Sequence, residues 1–138
     1  GLGDVYKRQG PLDAEMKKLA GPNVEFAGFK QWNEIKRIVG QARFCVIPSE
    51  CYENNPLSVI ESQCLGTPVL GAQIGGIPEL IQEGCNGLHF RSRDTDDLTA
   101  KIQAMYDAPF DYPSIALEAK KRYNSETYYK QLIQLYNL

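Results

Sequence analysis

Two glutamates, Glu53 and Glu61, are the residues whose type and spacing are best suited to chemistry. They lie eight positions apart within a stretch, 44–90, that contains no Lys or Arg. A carboxylate can accept two charge-assisted hydrogen bonds from the paired hydroxyls of a sugar. Glu53 precedes a predicted helix, whose positive end also stabilises a carboxylate, so simple helix capping is the alternative for this residue.

The predicted helix runs over 57–65 and begins at Pro56, with Asn55 as its capping residue. At about 100° per residue, Glu61 falls inside the arc of apolar side chains on this helix. An ionised carboxylate buried without a partner costs several kcal/mol. We therefore expect a ligand's hydroxyls or a basic group to meet Glu61, and a structural carboxylate that caps backbone amides is the alternative.

Two loops offer backbone amides for an anion. The amides of Asn55 to Leu57 open one helix, and Gly75-Gly76 precedes a second helix predicted to begin at Pro78. The glycine pair predicts a close approach of the backbone to a ligand, with an ordinary turn as the alternative. The sequence has neither a G-x-G-x-x-G motif nor a Walker-type lysine, so a shared nucleotide site would depend on both loops together.

Other reactive residue types give weaker signals. The single histidine, His89, stands in a predicted strand, where packing explains it better than a role as a base. The cysteines include no C-x-x-C pair, and one histidine cannot complete a zinc set at the usual spacings. Cys51 stands beside Glu53 without an evident base to activate it. Free thiols and a cytoplasmic location are the expectation.

The composition restricts the class of protein. The chain has 138 residues, of which 43% are hydrophobic, enough for one globular core. Its apolar runs are far shorter than the roughly 20 residues that span a bilayer. Fifteen Lys and Arg against 17 Asp and Glu give a net charge of −2, which does not favour nucleic-acid binding.

The elements that must position these residues alternate between strands and helices. Strands without polar alternation, separated by helices, predict an α/β fold: a Rossmann-like open parallel sheet with helices on both faces. In such sheets ligands bind beyond the carboxyl ends of the strands. The predicted strands are 24–27, 43–47, 68–72 and 87–90, and the predicted helices are 10–20, 31–41, 57–65, 78–82, one capped by Asp94, 112–122 and 125–136.

The run ENNPLSVIE, followed in order by GTPV, GGIPE and NGL, resembles the C-terminal nucleotide-sugar-binding domain of retaining glycosyltransferases of family 4. The resemblance begins at about Gln9-Gly10 and covers about 129 of the 138 residues, up to the terminal helix. It implies the C-terminal half of a two-domain GT-B fold. Residues 1–9 are interpreted as a non-native or frayed leader, with the domain proper at 10–138.

The resemblance implies a role for each site residue. Glu53 would contact the donor sugar as the catalytic carboxylate, and Glu61 would accept hydrogen bonds from the ribose. Gly75 and Gly76 would line the approach. Other donor-binding positions are backbone amides at the loop and two residues that border the base: Asn54, Asn55, Leu57, Phe29 and Lys30.

The same resemblance implies the reaction and the partners. A nucleoside-diphosphate sugar would be the donor, no metal or other cofactor would be needed, and an acceptor hydroxyl would attack with retention. The family's basic pair and its N-terminal acceptor domain have no counterpart in this sequence, so the chain alone is expected to bind donor weakly and to transfer nothing. Peripheral membrane contact would belong to the missing half. The alternatives are a GT-B-type epimerase and a non-catalytic nucleotide-sugar-binding module.

Overall fold

A computed structural model describes residues 12–136, so the predicted leader lies outside the described residues. The chain divides into two compact units, Gly1–Ile35 and Lys36–Leu138. The first unit contains helix α1, Asp13–Leu19, which ends close to the predicted position. Helix α2, Trp32–Gln41, begins in the first unit and ends in the second.

The strand predicted at 24–27 is wrong. These residues form no strand in the structure, and Val24 and Phe26 are exposed. A strand is stabilised by a hydrogen-bonded neighbour. The sheet described in residues 12–136 has three strands, none of which lies in this segment. The short apolar run at 24–27 therefore has no strand partner among residues 12–136.

The second unit is built on a parallel sheet of strands β1 (Cys45–Ile47), β2 (Val69–Ala72) and β3 (Gly87–Phe90), in the order β1-β2-β3. Cys45 pairs with Val69, and Val69 pairs with Gly87. All three strands run the same way, so their carboxyl ends meet at one edge. This confirms the predicted parallel α/β sheet.

The helices of this unit follow the strands along the chain. They are α3 (Leu57–Cys64), α4 (Ile77–Leu80), α5 (Thr95–Asp107), α6 (Tyr112–Arg122) and α7 (Ser125–Tyr136). The predicted cap of α5 is confirmed, because the Asp94 carboxylate accepts a hydrogen bond from the Asp97 amide at 2.9 Å. Within residues 12–136 no helix is both long enough and apolar enough to cross a membrane.

Helices cover both faces of the sheet because neighbouring residues of β2 point to opposite sides. Val69 packs with Val59 and Ile77 of α3 and α4 in one buried cluster. Leu70 packs with Phe90 and with Met105 of α5 in the other. The central strand is buried along its whole length, which explains its uniformly apolar sequence.

Candidate functional site

The loops that follow β1 and β2 meet at the carboxyl edge of the sheet. The amide of Gly76 donates to the backbone carbonyl of Glu53 at 2.7 Å. This bond brings the first predicted glutamate and the predicted glycine pair together. The parallel topology explains the meeting, since both segments leave neighbouring strands at the same edge.

The glycine pair is required by the backbone of the other loop. A Cβ atom on Gly76 would lie 2.1 Å from the carbonyl oxygen of Asn54. One on Gly75 would lie 2.5 Å from the carbonyl oxygen of Glu53, and Gly75 also has a positive φ of 56°. Side chains at either position would displace Glu53 and Asn54. The close approach that the pair allows is thus made by the chain's own backbone.

The second predicted anion site, at the start of the helix near Pro78, is wrong. Helix α4 has four residues, too few for a substantial dipole. The Gly76 amide is bonded to Glu53, and the Ile77 amide donates to the Ile74 carbonyl at 3.3 Å. Both amides are satisfied inside the protein, so this turn supports the neighbouring loop instead of offering free donors.

The Glu53 side chain is half-buried and fixed by a serine. The hydroxyl of Ser49 donates to Oε1 of Glu53 at 2.8 Å, and it also lies 3.3 Å from the Cys51 carbonyl. Sequence reasoning missed Ser49. A hydroxyl four residues before a carboxylate in a Pro-bounded loop is the only signal that could have indicated this contact.

The start of α3 differs from its prediction. Pro56 is the N-cap residue and makes no side-chain capping bond, so Asn55 does not cap the helix. The amides of Asn54, Asn55 and Leu57 donate no hydrogen bond to any group within residues 12–136. All three residues are exposed. Their amides can therefore donate to a bound ligand at this end of α3.

The inward-facing position predicted for Glu61 is wrong. Glu61 is exposed, and its carboxylate makes no hydrogen bond or ion pair with another described residue. Leu57, one turn earlier on the same face, is 64% exposed. The argument that a buried charge demands a ligand therefore does not apply to Glu61.

The physical reason is that the buried face of α3 is partly polar. Val59, Ser62 and Gln63 are the buried residues of this helix. Gln63 is only 1% exposed because its side-chain amide donates to the Leu80 carbonyl at 2.9 Å. The sequence prediction placed the apolar arc of α3 against the core. In the structure, polar side chains occupy part of the core-facing side, which hydrogen bonding allows.

A basic residue from a distant part of the sequence lines the groove beside the start of α3. This groove has a volume of about 630 Å³ and includes Asn55, Leu57, Arg122 and Tyr128. Arg122 also donates to the Glu79 carbonyl at 3.4 Å and lies over the Tyr123 ring. Because Arg122 lies near the end of α6, far along the chain from Asn55, its sequence position does not indicate that it lines this groove.

The two residues predicted to border the base belong to the first unit. Phe29 is 54% exposed, and Lys30 forms an ion pair with Glu34 at 3.6 Å. Gly28, which immediately precedes them, has a positive φ of 64°. Their assignment to the base remains a prediction.

The weaker candidates of the sequence are the cysteines and His89. All four cysteines are free, and burial raises the pKa of the Cys45 and Cys64 thiols. Nδ1 of His89 lies 3.2 Å from Oε1 of Glu83, which also accepts from the His89 amide. The backbone hydrogen bond from His89 is the main cause that lowers the pKa of Glu83. Within residues 12–136, no cluster of three or more His, Cys, Asp or Glu could hold a metal ion.

A parallel α/β sheet with a glutamate loop and a glycine pair at its carboxyl edge is the arrangement of a GT-B glycosyltransferase domain. The family model "Glycosyl transferases group 1" matches residues 3–108. The chain belongs to this family.

Curated relatives support the same family. The amylovoran biosynthesis glycosyltransferase AmsK of Erwinia amylovora is 27% identical over 140 residues, covering 91% of this chain and 34% of AmsK. The sulfoquinovosyl transferase SQD2 of Arabidopsis thaliana is 34% identical over 100 residues, covering 70% of this chain and 19% of SQD2. The chain therefore spans about a third or less of the length of these relatives.

Solved structures share the fold. Sucrose-phosphate synthase from Thermosynechococcus elongatus superposes with a TM-score of 0.77 at 25% identity, over 96% of this chain and 34% of that one. HepE of Anabaena, solved in complex with UDP, gives a TM-score of 0.76 at 22% identity, over 99% of this chain and 38% of that one. Both confirm the GT-B assignment of the fold.

Proposed function

We propose that this chain forms the donor site of a retaining glycosyltransferase and binds a nucleoside-diphosphate sugar at the carboxyl edge of its sheet. The observation that carries the proposal is the hydrogen bond from the Gly76 amide to the Glu53 carbonyl. It unites the two loops that the family motif assigns to the donor. The carboxyl edge of the sheet then holds the Glu53 carboxylate, the free amides at the start of α3 and the glycine pair that packs against the Glu53 loop.

In this proposal the glutamates act on different parts of the donor. Glu53 accepts hydrogen bonds from the sugar hydroxyls, and Glu61 accepts them from the ribose. Glu61 is supported by its place in the motif and by its exposed, unpaired carboxylate, which a ligand can reach without disturbing the core. Two hydroxyls on neighbouring ribose carbons suit a carboxylate that has both oxygens available.

Amides contribute to the proposed reaction where negative charge develops. The bond from the anomeric carbon to the diphosphate breaks and leaves its electron pair on the diphosphate oxygen. A bond from the anomeric carbon to the acceptor oxygen forms on the same face, and the proton of the acceptor hydroxyl passes to the departing diphosphate. Charge grows on the leaving diphosphate, so amides of Asn54, Asn55 and Leu57 would bind it more strongly in the transition state. Glu53 orients the sugar and favours positive charge at its ring. Gly75 and Gly76 line the approach.

Several finer features belong to the proposal. Phe29 and Lys30 border the base, no metal or other cofactor takes part, and the protein acts in the cytoplasm with an N-terminal acceptor-binding domain. The relatives named above are transferases and a synthase. This favours transfer over the epimerase and the non-catalytic module.

Isothermal titration of the 138-residue chain with UDP-glucose, GDP-mannose and ADP-glucose tests donor binding. We expect one nucleotide sugar to bind, and Glu61→Ala to weaken it about tenfold, as loss of a charge-assisted hydrogen bond does. Glu118→Ala is the matched control, because Glu118 is also an exposed helical carboxylate. Equal affinities for the wild type, Glu61→Ala and Glu118→Ala would contradict the role of Glu61. Failure of every nucleotide sugar to bind would contradict the proposed function.

A further inference from the structure

We propose that Ser49 is a positioning residue that fixes Glu53 so that one carboxylate oxygen faces the donor sugar. This inference rests on the proposed function. It assigns Ser49 a part in recognising the sugar, separate from recognition of the nucleotide.

The side chain of Glu53 is held through one of its two oxygens. The Ser49 hydroxyl donates to Oε1 at 2.8 Å, a hydrogen bond of ordinary length between partly buried groups. Oε2 accepts no hydrogen bond from any group within residues 12–136. One oxygen is therefore committed to the protein while the other can accept from a ligand.

The backbone of Glu53 is fixed independently of its side chain. Its carbonyl accepts from the Gly76 amide at 2.7 Å, and Gly75 packs against its backbone too closely to admit a Cβ atom. With the backbone fixed, the remaining freedom of Glu53 is the rotation of its side-chain bonds. The hydrogen bond from Ser49 restricts that rotation.

Ser49 is itself tied to the segment that follows β3. The hydroxyl of Ser92 donates to the Ser49 carbonyl at 3.4 Å, and Arg93 pairs with Glu50 at 3.2 Å. The Arg93–Glu50 pair is exposed and contributes little to stability. Its effect, together with Ser92, is to connect the loop after β1 to the end of the third strand. Ser49 thus links Glu53 to a frame built on two strands.

This geometry predicts a selective defect when the hydroxyl is removed. In Ser49→Ala, Glu53 keeps its charge and its backbone position but gains rotational freedom. Contacts to the sugar should weaken, whereas contacts made by the amides to the diphosphate should persist. If Ser49 only stabilised the fold, removing its hydroxyl would weaken the contacts to the sugar and the contacts to the diphosphate in parallel.

The test compares two ligands on the same variant. Affinities of the full chain for the nucleotide sugar that binds and for the matching nucleoside diphosphate are measured by isothermal titration. In the wild type we expect the sugar to add affinity, and in Ser49→Ala we expect this sugar-dependent gain to fall about five- to tenfold. Affinity for the nucleoside diphosphate should stay within about twofold of the wild type, and Ser49→Thr, which keeps the hydroxyl, should restore the gain.

Two further variants complete the design. Ser114→Ala removes a hydroxyl that donates to the Asp111 carboxylate at the same 2.8 Å distance, at the start of α6, and should leave the sugar-dependent gain unchanged. Ser49→Cys retains nearly the same shape but has only a weak donor, so it should show the same loss of the sugar-dependent gain as Ser49→Ala. It replaces the alanine variant if that variant does not fold.

The outcomes separate this inference from the proposed function. If the wild-type chain binds no nucleotide sugar, the proposed function and the inference both fail. If the wild type binds but Ser49→Ala and Ser49→Cys keep the sugar-dependent gain, only the positioning role is overturned. A parallel loss of affinity for both ligands, with a lower melting temperature, would make Ser49 structural and would also overturn it.

Discussion

Glu53 and Glu61 belong to the same motif but occupy different physical environments. Glu53 lies in the loop after β1, half-buried, with its side chain bonded to Ser49 and its carbonyl bonded to Gly76. Glu61 lies on the exposed face of α3 without a side-chain partner among the described residues. The first carboxylate is oriented by the protein before any ligand arrives, and the second is free to adjust.

This difference distinguishes a carboxylate that the protein holds in one orientation from a carboxylate that is free to move. A group that must hold a reacting sugar in one geometry benefits from being fixed in advance. A group that grips ribose hydroxyls away from the reacting carbon needs only to be within reach. Changes to the glycines that support the backbone of Glu53 should therefore affect both folding and binding, whereas changes at Glu61 should affect binding alone.

Removing the support behind Glu53 should have the largest effect. Gly76→Ala places a Cβ atom against the Asn54 carbonyl, and displacement of this backbone should lower the free energy of unfolding by about 3 kcal/mol. Urea unfolding measures this change. Gly40→Ala is the control, since nothing lies within 4 Å of a Cβ atom there and alanine favours the helix. Equal stability of the two variants would contradict the claim that Gly76 supports the backbone of the Glu53 loop.

The buried face of α3 should show the next largest effect. Gln63→Ala removes the hydrogen bond to the Leu80 carbonyl and leaves a small cavity, so the free energy of unfolding should fall by about 2 kcal/mol. Gln134→Ala, at an exposed position of α7, should change stability by less than about 0.5 kcal/mol. A harmless Gln63→Ala would mean that the buried face of this helix has been assigned incorrectly.

A third carboxylate, Glu83, tests whether a partner makes a glutamate contribute to stability. Because hydrogen bonds from His89 lower its pKa in the folded state, Glu83 stabilises the fold above its ordinary pKa of 4.5, and this contribution is lost as pH falls through the lower folded value. The contribution is small, since Glu83 is 53% exposed. Glu83→Gln should therefore reduce the loss of stability between about pH 5 and pH 3, measured by urea unfolding. An unchanged pH profile in Glu83→Gln would contradict the stabilising contribution of Glu83.

The smallest effect on stability should come from Glu61. Because its carboxylate is exposed and has no partner among the described residues, Glu61→Ala should change the free energy of unfolding by less than about 0.5 kcal/mol. The same urea titrations measure it. A loss of 2 kcal/mol or more would show that Glu61 has a structural role and would remove the contrast with Glu53.

Features fixed by local patterns were predictable from the sequence. The apolar runs located the three strands of the second unit, and their separation by helices indicated a parallel sheet with loops meeting at one edge. Asp94 and Asp97 predicted the cap of α5, because such a cap depends on residues three positions apart. Strand 24–27 failed because a strand also needs a neighbour, which a local pattern cannot supply.

Features that depend on tertiary partners were not predictable. The face of α3 was misassigned because Gln63 is buried through a bond to Leu80, 17 positions away. Arg122 reaches the groove beside Asn55 from the end of α6. Ser49 was overlooked because its contact depends on the direction of its hydroxyl, which a spacing of four residues from Glu53 does not fix.

Amide chemical-shift mapping tests the central claim most directly. The chain, labelled with ¹⁵N, is titrated with the nucleotide sugar that binds in calorimetry, and the shifts of its backbone amides are followed. Donor binding at the carboxyl edge predicts that the largest shifts occur at Glu53, Asn54, Asn55, Leu57, Glu61, Gly75 and Gly76. Largest shifts confined to α5 and the far end of α7, with these residues unchanged, would contradict the account.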